Sequence, residues 1–302
     1  MDRFDALQCF VTVVDSGSFT AAAARLDRAK SAMSRQVAAL EAHLGVQLLN
    51  RSTRRLSLTE PGREFYERAQ RILTELHDAE QSVASEHTSL RGRLRLAAPL
   101  SFGLRHLSSA LDEFLLQHPE LLLDLDLNDQ RVNLVEEGFD LAVRIGELPD
   151  SALVARPLAP IHFKLCASPD YLQRHGTPLT PADLSSHAGL VYGNVSEAQQ
   201  WRLLDTQGRI HSVKLPARIR ANNGDILLQA ALAGLGVLAI PTFISYQSLA
   251  RGELVALLPD YHVPSTTAYA VYSSRRHLPL RVRALIEFLA QRFAGTPYWD
   301  RA

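Results

Sequence analysis

The most concentrated chemistry in the chain lies in two short basic runs: Lys30, Ser31, Ser34 and Arg35 on a helical segment, and Arg51 to Arg55 on the turn that follows it. With Met33 taken as the inward reference at ~100° per residue, Ser31, Arg35 and Ala38 point away from the core, and Ser34 lies at the edge of that face. Small hydroxyls beside an arginine suit a helix pressed into a DNA major groove. Arginine grips guanine O6 and N7 with two hydrogen bonds, and serine serves bases or phosphates. Lys30 sits where such a helix meets the duplex backbone. The blander reading of these residues is a helical hairpin with a solvated face. On the turn, Arg51, Arg54 and Arg55 with Ser52 and Thr53 gather three cations and two hydroxyls, enough to straddle phosphates or enter a minor groove. Taken alone this is a solubilising loop; beside the helix it reads as a wing.

Catalytic and metal chemistry find little support. There is no G-x-S-x-G, no Walker loop and no G-x-G-x-x-G, and Gly234-Leu235-Gly236 runs straight into a strand. Cys9 and Cys166 stand far apart without a CxxC, and the eleven histidines show no HExxH, which argues against a disulfide framework, a zinc finger and any metal cofactor. Cys166 either packs in the core, faces a cleft or senses oxidants.

The elements that must hold the basic runs are legible in the spacing. Phe4, Leu7, Val11 and Val14 repeat at 3 and 4, which predicts a helix over 3–15. Ser16-Gly17-Ser18 stops it. Ser18 can cap the next helix, and it is grouped with the DNA-facing residues at that helix's start. There Phe19, Ala22, Ala23 and Leu26 share a face, and Ala21 to Ala24 permit close packing. Asp27 to Lys30 form a turn. A third helix carries the stripe Met33, Val37, Leu40 and Leu44 and stops at Gly45. Two helices joined by a four-residue turn fit a helix-turn-helix. VQLLNRSTRRLSLT then reads as a β-hairpin.

From Thr59 the pattern changes. Thr59 caps a helix whose first turn holds Glu60-Pro61-Gly62, with proline where no amide is needed. Phe65, Ala69, Ile72, Leu76, Ala79, Val83 and Leu90 follow at spacings of 4 and 3, skipping Glu86. They predict a coiled-coil seam on a helix of about 28 residues, the alternative being a helix laid on a globular core.

After Gly92 strands and helices alternate. RLRLAAP, LLLDLDLN and FDLAVRIG are strands, with a helix around Leu107, Leu111 and Phe114 and a short one at VNLVEEG between them. HFKLCAS, GLVYG and IHSVKLPARIRA make a second set of strands. A helix around Ile226 to Leu232 leads into GVLAIP, and TAYAVYS precedes an amphipathic helix with Leu285, Phe288 and Leu289. This is an α/β domain with parallel pairing and two lobes. Ligands in such sheets bind beyond the carboxyl ends of strands. Those ends are Pro99 to Phe102, Asn128-Asp129, Arg144 to Gly146, Asn222 to Gly224 and Pro241-Thr242, so Ser101, Phe102, Asn128, Arg144, Asn223 and Pro241 are the candidate effector contacts. For Ser101 the alternative is a plain helix cap, and for Arg144 a structural salt bridge.

Composition and charge agree with this division. The 302 residues are 46% hydrophobic and 21% charged, which excludes wholesale disorder and suits two domains. Net charge is zero, but residues 1–58 hold 8 Arg/Lys against 5 Asp/Glu, and residues 59–88 hold 3 against 7. A basic part, an acidic part and a near-neutral bulk imply three jobs. Acids at positions 2 and 5 and an apolar run broken at Thr12 and Asp15 do not read as a signal peptide, and no stretch reaches ~18 apolar residues. The expected location is cytoplasmic, with no membrane partner.

The run FVTVVDSGSFTAAAARLDRAKSAMSRQVAALEAHLGVQLLNRSTRRLSLTEPG resembles the N-terminal domain of LysR-type transcriptional regulators. SGSFTAAA, SRQVAALE, LGVQLLNR and R-x-L-x-LTEPG carry it most specifically, and the length and the α/β remainder extend it to the whole chain. The resemblance implies a winged helix-turn-helix over 1–58, a dimerising linker helix over 59–88 and an effector domain over 89–302, two-lobed like periplasmic solute-binding proteins. The lobes would span about 89–161 plus 267–302 and about 162–266. It further implies a non-enzymatic regulator that binds double-stranded promoter DNA and a small-molecule effector and pairs with itself into dimers and then tetramers; a change in DNA bending that alters polymerase access makes RNA polymerase a candidate further partner. Where many members carry Gln-Pro early in the recognition helix, this chain has Lys30-Ser31, so their base preference does not transfer. The competing classes are an enzyme with an appended DNA-binding domain and a transport solute receptor; the latter needs export and has no use for residues 1–58.

Overall fold

The computed structural model describes residues 2–51, 56–84, 90–130, 133–134, 136–148, 153–193, 200–273 and 278–301, without side chains at 51, 74, 75 and 77–84. Its contacts fall into two units, Met1–Thr88 and Ser89–Ala302.

The first unit begins with α1 (Arg3–Ser16), whose free N-terminal amide at Phe4 is satisfied by Asp2 Oδ1 at 3.0 Å. Its buried face centres on Ala6, Phe10 and Val13, while Phe4 at its start stays half exposed. Helix α2 (Phe19–Arg25) is capped by Ser18 and buries only Ala22 and Ala23, small enough to let neighbouring helices close in. Helix α3 (Lys30–Leu44) starts one residue earlier than the turn expected at Asp27 to Lys30, with Ala29 as its cap. It buries Met33, Val37 and Leu40, and it ends at Gly45, whose φ of 72° is the left-handed conformation a glycine adopts freely. Strands β1 (Leu49–Arg51) and β2 (Leu56–Leu58) pair antiparallel with Leu49 opposite Leu58.

Helix α4 (Glu60–Ala84) follows, and Thr59 fixes its start. The Thr59 hydroxyl accepts the Gly62 N–H at 3.0 Å and donates to the Gln47 carbonyl at 2.7 Å. A side chain at position 62 would put its Cβ 2.0 Å from the Leu48 carbonyl oxygen, so the first turn of α4 is pressed against the hairpin as only glycine allows. The expected seam divides here. Phe65 and Ala69 pack on this unit's own core with Tyr66 and Leu73, Phe65 lying 5.7 Å from the Phe10 ring. Ile72 stays 44% exposed and Leu76 half-buried, while Leu90 lies beyond α4 against the core of the second unit. The first seam positions thus do the work of the globular alternative; Ala79 and Val83 have no described side chains.

The second unit is built on two five-stranded mixed sheets. Strand β3 (Gly92–Ala98) leads into a helical stretch made of α5 (Leu100–Phe102), one wide π turn over Gly103–Leu107 and α6 (Ser108–Gln117). Then come β4 (Leu121–Leu127), β5 (Leu141–Ile145) and β6 (Leu153–Ile161). The chain crosses to the second sheet through β7 (Phe163–Ala167), α7 (Pro169–His175), β8 (Gly189–Tyr192), β9 (Gln200–Asp205), β10 (Ile210–Lys214), β11 (Ala217–Ala221), α8 (Gly224–Leu232), β12 (Val237–Pro241), α9 (Thr242–Ala250), β13 (Val255–Ala256) and β14 (Tyr261–His262). It returns by β15 (Thr266–Ser273) and α10 (Leu280–Arg292). The first sheet runs β4-β3-β5-β15-β6 and the second β11-β8-β12-β7-β13. Parallel pairing of β3 with β4 and β5, and of β8 with β11 and β12, gives each lobe its α/β core.

Two expectations fail locally. The described residues of VNLVEEG form turns rather than a helix: Asn133 and Leu134 each accept one backbone N–H, and the chain enters β5 at once. IHSVKLPARIRA is two strands, because Pro216 has no N–H to continue a ladder. Its first half pairs with β9 in a separate sheet, β10-β9-β14, and its second with β8. Among the described residues no helix is long and apolar enough to cross a membrane.

Candidate nucleic-acid interface and effector site

On α3, Lys30, Ser31 and Arg35 are exposed and Ser34 is half-buried, while Met33, Val37 and Leu40 on the opposite face are almost wholly buried. One side of the helix therefore belongs to the core, and the other offers two cations, two hydroxyls and the small Ala38. Ala29 provides no side-chain cap, and there is no acid in the first turn. Helix starts ordinarily attract acids, because their amides carry partial positive charge. This one presents Lys30 instead, a pattern that suits an anion supplied from outside. Ser18 already has a structural task, its Oγ accepting the Ala21 N–H at 3.1 Å.

Two carboxylates that spacing did not single out aim this face. Asp5 of α1 accepts from Gln36 Nε2 at 2.9 Å and pairs with Arg28, which ties the middle of α3 and the turn before it to α1. Glu41 of α3 accepts the N–H groups of Leu48 and Leu49, so the hairpin leaves the helix at a set angle. Tyr66 of α4 donates to Asp15 and ties α4 to α1. Arg51 ends β1; Thr53, Arg54 and Arg55 lie outside the described residues.

In the second unit, the ends of β3, β4 and β11 converge on one polar cluster. Ser101 is buried, and its hydroxyl donates to Asp225 Oδ2 at the start of α8. Arg105, one turn further along, donates through Nε to Asp225 Oδ1 at 2.9 Å and completes the ion pair with a second nitrogen. Asn223 caps α8 by accepting from Asp225 and Ile226, and its Nδ2 donates to Ser101 Oγ at 3.3 Å and to Asp129 Oδ2 at 3.4 Å. Asp129 in turn accepts the Leu100 N–H at 3.0 Å. The cluster links residues beside the first sheet to residues beside the second.

Ser101 and Asn223 thus meet, and Ser101 is no helix cap: the cap position is Pro99, and Asp129 serves the first amide. The other candidate contacts are redistributed. Phe102 is fully buried among Phe243, Phe293 and Trp299, and packs in the core instead of lining the cluster. Asn128 is exposed and closes its own turn by accepting the Gln130 N–H; its neighbour Asp129 reaches inward. Pro241 caps α9 and accepts from Ser245. Arg144 is half-buried on β5 opposite Tyr269.

Behind Ser101, the π turn places His106 in an aromatic nest. Its Nε2 faces the Phe243 carbonyl at 2.9 Å and its Nδ1 the Tyr298 hydroxyl. A carbonyl can only accept, so Nε2 carries the proton. Burial, with Arg105 nearby, holds the His106 pKa below its ordinary value despite the carbonyl's opposing pull. Cys166 is fully buried on β7, and burial pushes its thiol up to about 12; it is a packing residue, with no thiolate at neutral pH.

A winged helix-turn-helix in one unit and a two-lobed α/β domain in the other define a DNA-binding regulator with a ligand domain. Residues 4–63 match the family of bacterial regulatory helix-turn-helix proteins of the lysR type, and residues 87–294 match the LysR substrate binding domain. The chain belongs to the LysR family of transcriptional regulators. It is 39% identical over 286 residues to the HTH-type transcriptional regulator CrgA of Neisseria meningitidis serogroup C, covering 94% of this chain and 95% of that one. An uncharacterised HTH-type regulator of Haemophilus influenzae is 38% identical over 288 residues, covering 94% and 99%. The solved structure of the Neisseria meningitidis CrgA matches with a TM-score of 0.63 at 37% identity, over 96% of this chain and 99% of that one. The full-length Vibrio cholerae virulence activator AphB matches with 0.61 at 29%, over 95% and 98%. The chain is accordingly a transcriptional regulator and not an enzyme; LysR-type regulators bind promoter DNA and small-molecule effectors and form oligomers.

Proposed function

We propose that this regulator reads DNA with Ser31, Ser34 and Arg35 in the major groove. Lys30 and Ser18 would sit at the backbone, and Arg51, Thr53, Arg54 and Arg55 on phosphates or in the minor groove. The observation that carries this reading is the two-sidedness of α3: Ser31 and Arg35 exposed, Met33 and Val37 buried. Residues 59–88 serve as the linker that pairs two chains, through the part of α4 that its own core leaves uncovered, notably Ile72. Dimers pair again into tetramers on promoter DNA.

The effector enters between the lobes beside Ser101 and Asn223, where polar groups from both sheets converge. A ligand that prefers one arrangement of the lobes shifts the population toward it. The linker helices pass that shift to the spacing of the winged domains, which alters DNA bending and the access of RNA polymerase.

The test begins with a thermal-shift screen of small organic acids and aromatics against the full chain. Hits are then titrated into a DNA-binding assay with wild-type protein and Ser101→Ala. A compound whose effect on DNA affinity needs several-fold more ligand in Ser101→Ala supports the site, since a lost neutral hydrogen bond is worth ~0.5–1.5 kcal/mol. Equal midpoints in the two proteins would send the effector elsewhere.

A further inference from the structure

Ser101 and Arg105 form a hydroxyl and guanidinium pair facing the same point, the arrangement that recognises a carboxylate. The group at that point belongs to the chain itself. Asp225, 120 residues further on and at the start of α8 beside the other sheet, gives Oδ2 to Ser101 and Oδ1 to Arg105. Its backbone is held independently, because Asn223 Oδ1 accepts the Asp225 N–H at 3.0 Å. Every contact of the carboxylate named here crosses from α8 to the Ser101 helix; none serves its own helix. Arg105 and Asp225 retain 30% and 33% side-chain exposure, so a small anion in solution can reach them.

We propose that Asp225 is the effector domain's built-in carboxylate ligand: it holds the two lobes together through Ser101 and Arg105, and a small carboxylate-bearing effector acts by taking its place. This rests on the cleft reading above and adds the ligand's chemical class and an internal competitor. It follows that an effector loses part of its affinity to the displacement of Asp225, and that removing Asp225 exposes the intrinsic affinity.

The test is amide hydrogen exchange on the full-length protein, comparing wild type, Asp225→Ala and Asp225→Asn. The second variant keeps the shape and the Asn223 cap, removes the charge and turns one of the two acceptor oxygens into a donor. Amides of Leu100–Gln117 and Gly224–Leu232 should exchange roughly tenfold faster in both variants, the scale of one lost charge-assisted bridge. Acetate, against sodium chloride at equal ionic strength, should restore protection in Asp225→Ala and fail to do so when Arg105→Ala is added. Wild-type exchange rates in both variants would overturn the bridge. Faster exchange that acetate does not reverse would overturn the carboxylate assignment. Either failure leaves the cleft reading standing, because that reading fails only if effectors shift DNA binding equally with and without the Ser101 hydroxyl.

Discussion

Glu41 on α3 accepts two consecutive backbone N–H groups, Leu48 at 2.9 Å and Leu49 at 3.1 Å, through a single carboxylate oxygen. Both leucines are almost fully buried, so those amides have no water to fall back on. The recognition helix and the start of the hairpin are thereby tied to one another through a single acid on α3.

Glu41→Ala should therefore lower stability by about 1–3 kcal/mol, the penalty for stranding buried donors. It should also weaken DNA binding without changing sequence preference. Glu41→Gln, which keeps an acceptor oxygen, should recover most of both. Melting curves and binding titrations on the three proteins check this; an Ala variant that melts like wild type would mean the hairpin is held by its packing alone.

Arg35→Ala should keep the fold and lose discrimination. Arg35 is exposed, and a bidentate contact to guanine is worth about 1–3 kcal/mol. The measurement is the ratio of affinities for specific and random duplex, and an unchanged ratio would displace Arg35 from the reading face.

Arg54→Ala should weaken binding to all sequences alike and reduce the slope of log affinity against log salt by about 0.9 per site. The slope is read from titrations at several salt concentrations. A slope equal to the wild type's would take the wing off the phosphates.

Ile72→Glu and Leu76→Arg place charges on the part of α4 that its own core leaves uncovered. Sedimentation of the full chain should show a smaller assembly for both at an unchanged melting temperature. Phe65→Ala should behave oppositely, losing stability by about 1–3 kcal/mol, because the half-buried Phe65 packs on Phe10. Wild-type mass in both charge variants would assign α4 wholly to its own unit.

His106 gives a pH signature. Its folded pKa lies below the ordinary ~6.5, so the unfolded chain binds a proton before the folded one does. Its contribution is complete above ~6.5 and declines as pH falls through the window beneath. His187, likewise lowered by burial, adds to the same slope. Denaturant midpoints between pH 7 and 5.5 should fall less steeply in His106→Gln than in wild type, and parallel curves would contradict the assignment.

How far the sequence alone carries the fold depends on the range of the forces involved. The caps at Ser18 and Thr59, the stop at Gly45 and the stripe Met33, Val37 and Leu40 act within a few residues, so helices α1 to α4 and the hairpin are legible directly. Reading IHSVKLPARIRA as a single strand passed over the break at Pro216, and that the two halves join different sheets depends on β9 and β14, which have no local mark. The cleft was legible as a set of strand ends and not as side-chain directions. The π turn over Gly103–Leu107 places Phe102 in the core and leaves Ser101 to face Asp225 across 124 residues of chain. Glu41, Asp5 and Asp225 were illegible for the same reason: an acid's partner is fixed only when the fold brings it near.

The most direct test of a DNA-reading role is selection from a random duplex library with the full-length protein and with Arg35→Ala. Paired winged domains should enrich a pseudo-palindromic site whose half-sites lie a whole number of turns apart, about 10–10.5 base pairs per turn. Arg35→Ala should bind with reduced enrichment at a guanine in each half-site. A wild-type protein that enriches no sequence, or one whose enrichment is identical without Arg35, would contradict the assignment of α3 as the element that reads DNA.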